Sequence, residues 1–202
     1  MSPPIKDTGT RARLLEVGAE AISEKSFTSC GLAEILERAR VPKGSFYHYF
    51  KSKEEFGVAL IEKETVEFVD ELRPIIADRK RTPLERLRAI FEMMRDECVA
   101  RGAARQCLIP KLALETGQLS EPVQAAIKAA YDQWRALLAQ VVREAQAAGE
   151  LSRSRDPERL AGVLVMLWEG ATMRTQIDRS MQPIDDFLAF VFGSLLIARE
   201  SA

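Results

Sequence analysis

The chain is 202 residues long, 47% hydrophobic and 29% charged, with a formal net charge of -1. Such a composition excludes a disordered chain, and the length allows one sizeable core or a small domain joined to a larger one. The longest uncharged apolar run, FLAFVFGSLLIA, has 12 residues, fewer than the roughly 18 that cross a bilayer, and the N-terminus lacks an apolar signal core, so neither a membrane-embedded nor an exported protein is expected.

Strand-type alternation is nearly absent and apolar residues recur at spacings of three and four, so the expected fold class is all-α. A first helix is predicted over about 10–25, with Leu14, Leu15, Val17, Gly18, Ala21 and Ile22 facing inward. A short second helix covers LAEILERA, 32–39, and stops at Arg40-Val41-Pro42 because the residue before a proline is driven from helical geometry. The third opens near Pro42, whose missing N–H has no helical partner to lose, and runs to about residue 50. Ser52 and Glu55 have capping-box spacing, which predicts a fourth helix from there to about residue 72, ahead of Pro74. Further helices are expected near 83–101, 105–116, 121–148, 157–179 and 183–199. Ser120 and Asp156 stand as capping side chains before early prolines, and Gly149 lies just past an end.

Residues 1–53 carry nine Lys/Arg against six Asp/Glu, leaving 20 against 24 for the rest. A mildly basic head therefore precedes an acidic body, which fits a polyanion partner for the head. Two short helices joined by a tight turn, the second polar and aromatic on one face, describe a helix-turn-helix. The stretch PKGSFYHYFKSKEEF, 42–56, holds the chain's one histidine and two of its three tyrosines among three lysines. Phe46 and Phe50, four apart, can pack with Val41, Ile35 and Leu36 against the first helix. Lys43, Gly44, Ser45, Tyr47, His48 and Lys51 are left at outward or edge positions. Gly44 lets the backbone approach a groove, Ser45 can bond a base edge or phosphate, and Tyr47 and His48 offer donors with flat apolar faces. Lys51 and Lys53 come at the next helix start, where ammonium groups and free N–H groups together suit a phosphate.

These residues resemble the TetR family of transcriptional regulators, whose signature runs close to GVSKGTLYYHFKSKE and stands here as RVPKGSFYHYFKSKE, 40–54. The resemblance is specific over residues 10–60. It implies a DNA-binding domain at 1–53 and a helical ligand-binding and dimerisation domain at 54–202. It further implies a homodimer that binds a palindromic double-stranded DNA operator, represses from it, and releases it on meeting a small-molecule inducer, with no cofactor. By that resemblance Lys43, Ser45, Tyr47, His48 and Tyr49 face DNA and Lys53 holds a phosphate. Three departures stand out: Arg40 and Ser26 occupy places where the family has glycine, and the aromatic-then-histidine order is reversed to His48-Tyr49. A non-glycine residue in left-handed geometry costs roughly 1 kcal/mol, so a slightly strained turn is expected at Arg40.

In the body, CLIPKLALE after RGAARQ, with LWEGA at 167–171 and Arg179-Ser180, resembles a TetR branch that answers to reactive electrophiles, aldehydes or acrylate-like acids. Cys107 is the candidate sensor, since a thiol near a helix N-terminus and near Arg105 and Lys111 could have its thiolate favoured; a small buried apolar role is the alternative. Cys30 and Cys98 read as core. The three cysteines form no CxxC pair, which argues against a disulfide-built fold or a zinc site and for a reducing cytoplasm. Tyr131, Trp134 and Trp168 could line a pocket between long helices, with Glu169, Arg174 or Lys111 fixing the polar end of a ligand. On the last helix Ile184, Phe187, Leu188, Val191, Phe192, Leu195 and Leu196 form a stripe broad enough to engage a partner subunit.

Catalysis is not expected. The single histidine sits in the basic helix, which leaves no Ser-His-Asp or Cys-His arrangement elsewhere, no metal spacing and no glycine-rich phosphate loop. The competing reading is an all-helical ligand carrier or interaction module without DNA binding, and salt dependence of DNA binding separates the two.

Overall fold

The computed structural model describes residues 8–102, 108–115 and 120–197. Nine α-helices fill the described residues, with no strand among them: α1 Thr8–Glu24, α2 Leu32–Ala39, α3 Lys43–Tyr49, α4 Lys53–Ala77, α5 Pro83–Arg101, α6 Leu108–Leu114, α7 Glu121–Ala147, α8 Pro157–Asp178 and α9 Gln182–Phe190. A π-helical turn, Val191–Leu195, continues α9. No helix among the described residues is long and apolar enough to cross a membrane.

Side chains at the termini explain most of the boundaries. Thr82 and Glu85 form a complete capping box at the start of α5, and the Asp156 carboxylate accepts from the Arg159 N–H at 2.7 Å to open α8. Ser52 caps α4 through the Glu55 N–H at 3.1 Å, while the Glu55 carboxylate reaches back to the Lys51 N–H instead of closing the box on Ser52. Ser120 does not act as expected: among the described residues its buried hydroxyl has no partner, and its carbonyl serves α7 by accepting from the Gln124 N–H. Past α7, Gly149 takes a φ of 79° and ends the helix in left-handed geometry.

The fourth helix corrects the sequence expectation, because it runs through Pro74 to Ala77. A proline inside a helix forfeits one hydrogen bond. Here the last turn is held by other means: Ile76 is buried, and its carbonyl accepts from the fully buried guanidinium of Arg86 at 2.6 Å. Pro42 precedes α3 as its N-cap, one residue earlier than a first helical position.

The described chain packs as two units. One takes the residues up to Val66 and those of α6 and α7 as far as Ala130; the other takes Glu67 onward through α5, then Tyr131 to the end. Packing thus draws α6 and the first turns of α7 into the unit that holds the helix-turn-helix.

In the first unit Leu14, Leu15, Ala21 and Ile22 of α1 meet Ile35 and Leu36 of α2, with Val41, Phe46, Phe50 and Phe56 completing the core. Gly18 is required there: a Cβ would stand 2.3 Å from the Phe56 ring. The second unit is built on Leu87, Ile90 and Phe91 of α5, Leu138 and Val142 of α7, Leu164 and Trp168 of α8, and Ile184, Phe187 and Phe192 near the C-terminus. The stripe on the last helix is therefore spent on the chain's own core, with only Leu188 and Leu195 half-buried. The apolar residues left exposed in this unit lie elsewhere, at Val163, Met166, Leu167, Met173 and Ile177 of α8, with Val99, Phe190 and Ile197.

Candidate functional site

Helix α3 is short and two-faced. Its inward residue, Phe46, is fully buried and stands edge-on or tilted to Tyr47, Phe50 and Phe56 with ring centroids 5.3 to 5.7 Å apart. Three aromatic neighbours pack around Phe46 and anchor α3 from its inner side. On that face Lys43, Gly44 and His48 are exposed, and Tyr47 is 51% exposed even though its ring edge rests on Phe46. A Cβ at Gly44 would meet nothing within 4 Å. The smallness of Gly44 therefore serves no internal packing, and it keeps the backbone open to a partner. Ser45 and Tyr49 are half-buried at the edges, with the Tyr49 ring 5.1 Å from the His48 ring.

Charge pairing sharpens the basic face. Lys25 pairs with Glu34 at 2.8 Å, and Arg38 pairs with Glu24 and Glu34 at 2.8 and 2.9 Å. Among the described residues Lys43 and Lys51 have no carboxylate partner, so these two cations beside α3 are left uncompensated. Arg40 adds to them from the turn, held at φ 53° and ψ 45° in the left-handed geometry that the missing glycine implied. Ser26, the other such site, is not in positive-φ geometry, and its hydroxyl accepts from the Ser29 N–H at 3.0 Å. Arg11, which sequence reasoning did not single out, lies over the Phe50 ring at 5.3 Å. The Lys53 ammonium donates to the Phe27 carbonyl and sits 4.7 Å from the Phe27 ring centre.

The ligand candidates scatter. Tyr131 and Trp134 of α7 are ring neighbours at 6.2 Å, and Trp134 meets Phe68 edge-on at 5.9 Å. Glu169 of α8 joins them through a hydrogen bond from Tyr131. Trp134 is 7% exposed, and its indole N–H is buried without an acceptor. Trp168, one residue from Glu169, packs against Phe91 and Phe187 in the core that also holds Trp134. Arg174 faces solvent and pairs with Asp178 of its own helix at 2.8 Å. Lys111 lies in the first unit and donates to the Ser23 carbonyl at 2.6 Å. Cys107 lies outside the described residues. Cys30 is fully buried, and desolvation, then Glu34, pushes its thiol up; Cys98 is half-buried.

Burial in these surroundings pushes the Glu169 carboxyl up to about 7, only partly offset by the Tyr131 hydrogen bond. The folded chain therefore holds a proton that the unfolded chain has already released. This stabilisation is complete below the ordinary carboxyl range and is lost as pH rises through 7. The melting temperature should fall between pH 5.5 and pH 8, and E169Q, which cannot ionise, should flatten that fall; an unchanged slope in the variant would exclude the assignment.

A buried aromatic anchor behind an exposed face of lysine, glycine, tyrosine and histidine, carried on the second of two short helices, defines a helix-turn-helix DNA-binding protein. Residues 14–60 match the family described as bacterial regulatory proteins, tetR family, and residues 83–191 match the tetracyclin repressor-like C-terminal domain. The chain is 42% identical over 187 residues to the transcriptional regulator AcuR of Cereibacter sphaeroides, covering 92% of this chain and 84% of that protein. It is 35% identical over 182 residues to the transcriptional repressor NemR of Escherichia coli K12, covering 90% and 92%. The crystal structure of a regulatory protein TetR from Rhodobacter sphaeroides superposes with a TM-score of 0.86 at 39% identity, covering 93% of this chain and 99% of that one. The chain belongs to the TetR family of transcriptional regulators.

Proposed function

We propose that the protein represses transcription as a homodimer, placing α3 of each copy in the major groove of a palindromic operator, and that a small molecule bound in the second unit releases it. The observation that carries this reading is the α3 face: Tyr47 and His48 point outward with Lys43 beside an unobstructed Gly44, while Phe46 anchors the helix from behind. NemR, a repressor, supports the sign of the effect. The exposed apolar residues of α8, Met166, Leu167, Met173 and Ile177, together with Phe190, support a two-fold pairing of C-terminal helices.

For the effector, the Tyr131, Trp134 and Glu169 cluster is the favoured contact. Arg174 is turned to solvent, so a neutral or reactive small molecule fits better than one that needs a buried guanidinium. Cys107 remains the proposed thiol sensor in keeping with the resemblance to electrophile-responsive relatives. Because α4 contributes residues to both units, its tilt is the proposed route by which occupancy changes the spacing of the two recognition helices.

The test is a mobility shift on the DNA flanking the protein's own gene, repeated across a salt series. Operator binding should weaken with a log-log slope of roughly 0.9 per phosphate neutralised. Absence of any shifted fragment at low salt would instead support the carrier reading. Small electrophiles and carboxylates added to the same assay, with Cys107→Ser as control, identify the inducing chemistry.

A further inference from the structure

The helix-turn-helix is closed at both ends on one peptide group. Chain entry to α2 passes through the turn Ser26–Gly31, and exit from α3 passes through Lys53, the first residue of α4. The peptide joining Phe27 and Thr28 presents its carbonyl to the Lys53 ammonium and its N–H to a carboxylate oxygen of Glu115, at 3.1 Å for the latter. The Glu115 carboxylate also accepts from the Phe27 N–H and the Thr28 hydroxyl, both at 3.1 Å. Glu115 stands just past α6, and Lys111, one turn earlier, donates to the Ser23 carbonyl in the last turn of α1 at 2.6 Å.

Two side chains from residues 108–115 therefore satisfy backbone groups of the head 87 and 88 positions away in sequence. The Phe27 ring completes the joint. It lies close enough to α4 that a Cβ on Gly57 would stand 2.7 Å from it, with Val123 of α7 on the same side. A turn with exposed Thr28 and Ser29 would otherwise leave its N–H groups to water and its geometry free. Here a charged acceptor fixes two successive N–H groups, the charge-assisted kind of hydrogen bond that holds a loop in one conformation.

We propose that Glu115 is a positioning residue for operator binding: its carboxylate clasps the Phe27–Thr28 turn and so sets the angle at which α2 and α3 are offered to DNA. This rests on the reading of α3 as the DNA-contacting helix. Through the clasp, the segment carrying α6 holds the head directly, in addition to the covalent route along α4.

The sign of the effect separates positioning from simple charge. Glu115 is an anion in a DNA-binding unit, so on electrostatics alone its removal strengthens binding to a polyanion. Loss of the clasp weakens it. The experiment compares wild type and E115Q, full-length, on the promoter fragment that wild type retains in the mobility shift, with thermal melting alongside. E115Q keeps one carbonyl acceptor and loses the other, and the expected result is an affinity lower by about fivefold with melting unchanged. Equal or tighter binding by E115Q overturns the proposal. Should E115Q also melt earlier, Thr28→Val takes its place, since it removes one donor to the clasp and no charge: a loss of about twofold supports the proposal, and wild-type affinity overturns it. A wild-type chain that shifts no fragment fails the reading of α3 itself, which is a different outcome from wild type binding and E115Q binding equally well.

Discussion

Replacing Tyr47 by alanine should lower operator affinity by about thirtyfold while leaving the melting temperature near that of wild type. A side chain that reads a base edge carries about 1–3 kcal/mol of discrimination, and a tenfold change in affinity corresponds to 1.4 kcal/mol. Tyr47 is half exposed, and among the described residues its one ring contact is an edge against Phe46, so its removal opens no large internal cavity. His48 and Lys43 flank it on the same face. His48→Ala should act in the same direction, and Lys43→Ala should weaken all DNA sequences alike and reduce the salt slope by about one. Fluorescence anisotropy on specific and scrambled duplexes distinguishes these outcomes. If Tyr47→Ala bound the specific duplex as wild type does, α3 would not be the reading element.

Phe46→Ala has a larger and different effect: it should destabilise the head by about 3–5 kcal/mol, a large fraction of the roughly 5–15 kcal/mol that holds a domain folded. The ring is fully buried, sits within 5.7 Å of the Phe50 and Phe56 rings, and lies on the same short helix as the exposed face. Seven residues cannot sustain a helix alone. With Phe46 gone, α3 loses the contact that orders it, and DNA binding disappears while the melting temperature falls. Phe46→Leu, which keeps most of the volume, should retain both in large part. A Phe46→Ala protein that melts as wild type would mean that α3 is held by something other than this cluster.

The sequence was most informative where a local rule had a single physical outcome. The end of α2 followed from Pro42, and the two faces of α3 followed from Phe46 and Phe50 standing four apart among lysines. Left-handed geometry at Arg40 followed from a glycine position filled by another residue. The same kind of rule failed at Pro74, which α4 runs through to Ala77, its last turn held by a buried arginine from a different helix. Long polar side chains were least legible. Lys53 and Lys111 each look like phosphate or ligand contacts by charge, yet both donate to backbone carbonyls of distant turns. Periodicity says which way a residue faces but not which orphan acceptor lies within its reach. Trp168 and Glu169 make the point at one step of helix: 100° of rotation sends one into the aromatic core and the other toward Tyr131. Nothing local marks Glu115 at all, because its three donors lie 87 or 88 positions earlier in sequence.

The burial of Cys30 has its own chemical corollary. With its sulfur fully buried and its acidity suppressed by desolvation and then Glu34, this residue presents little nucleophile while the head is folded. Thiol-directed reagents should therefore label Cys30 only once the head unfolds.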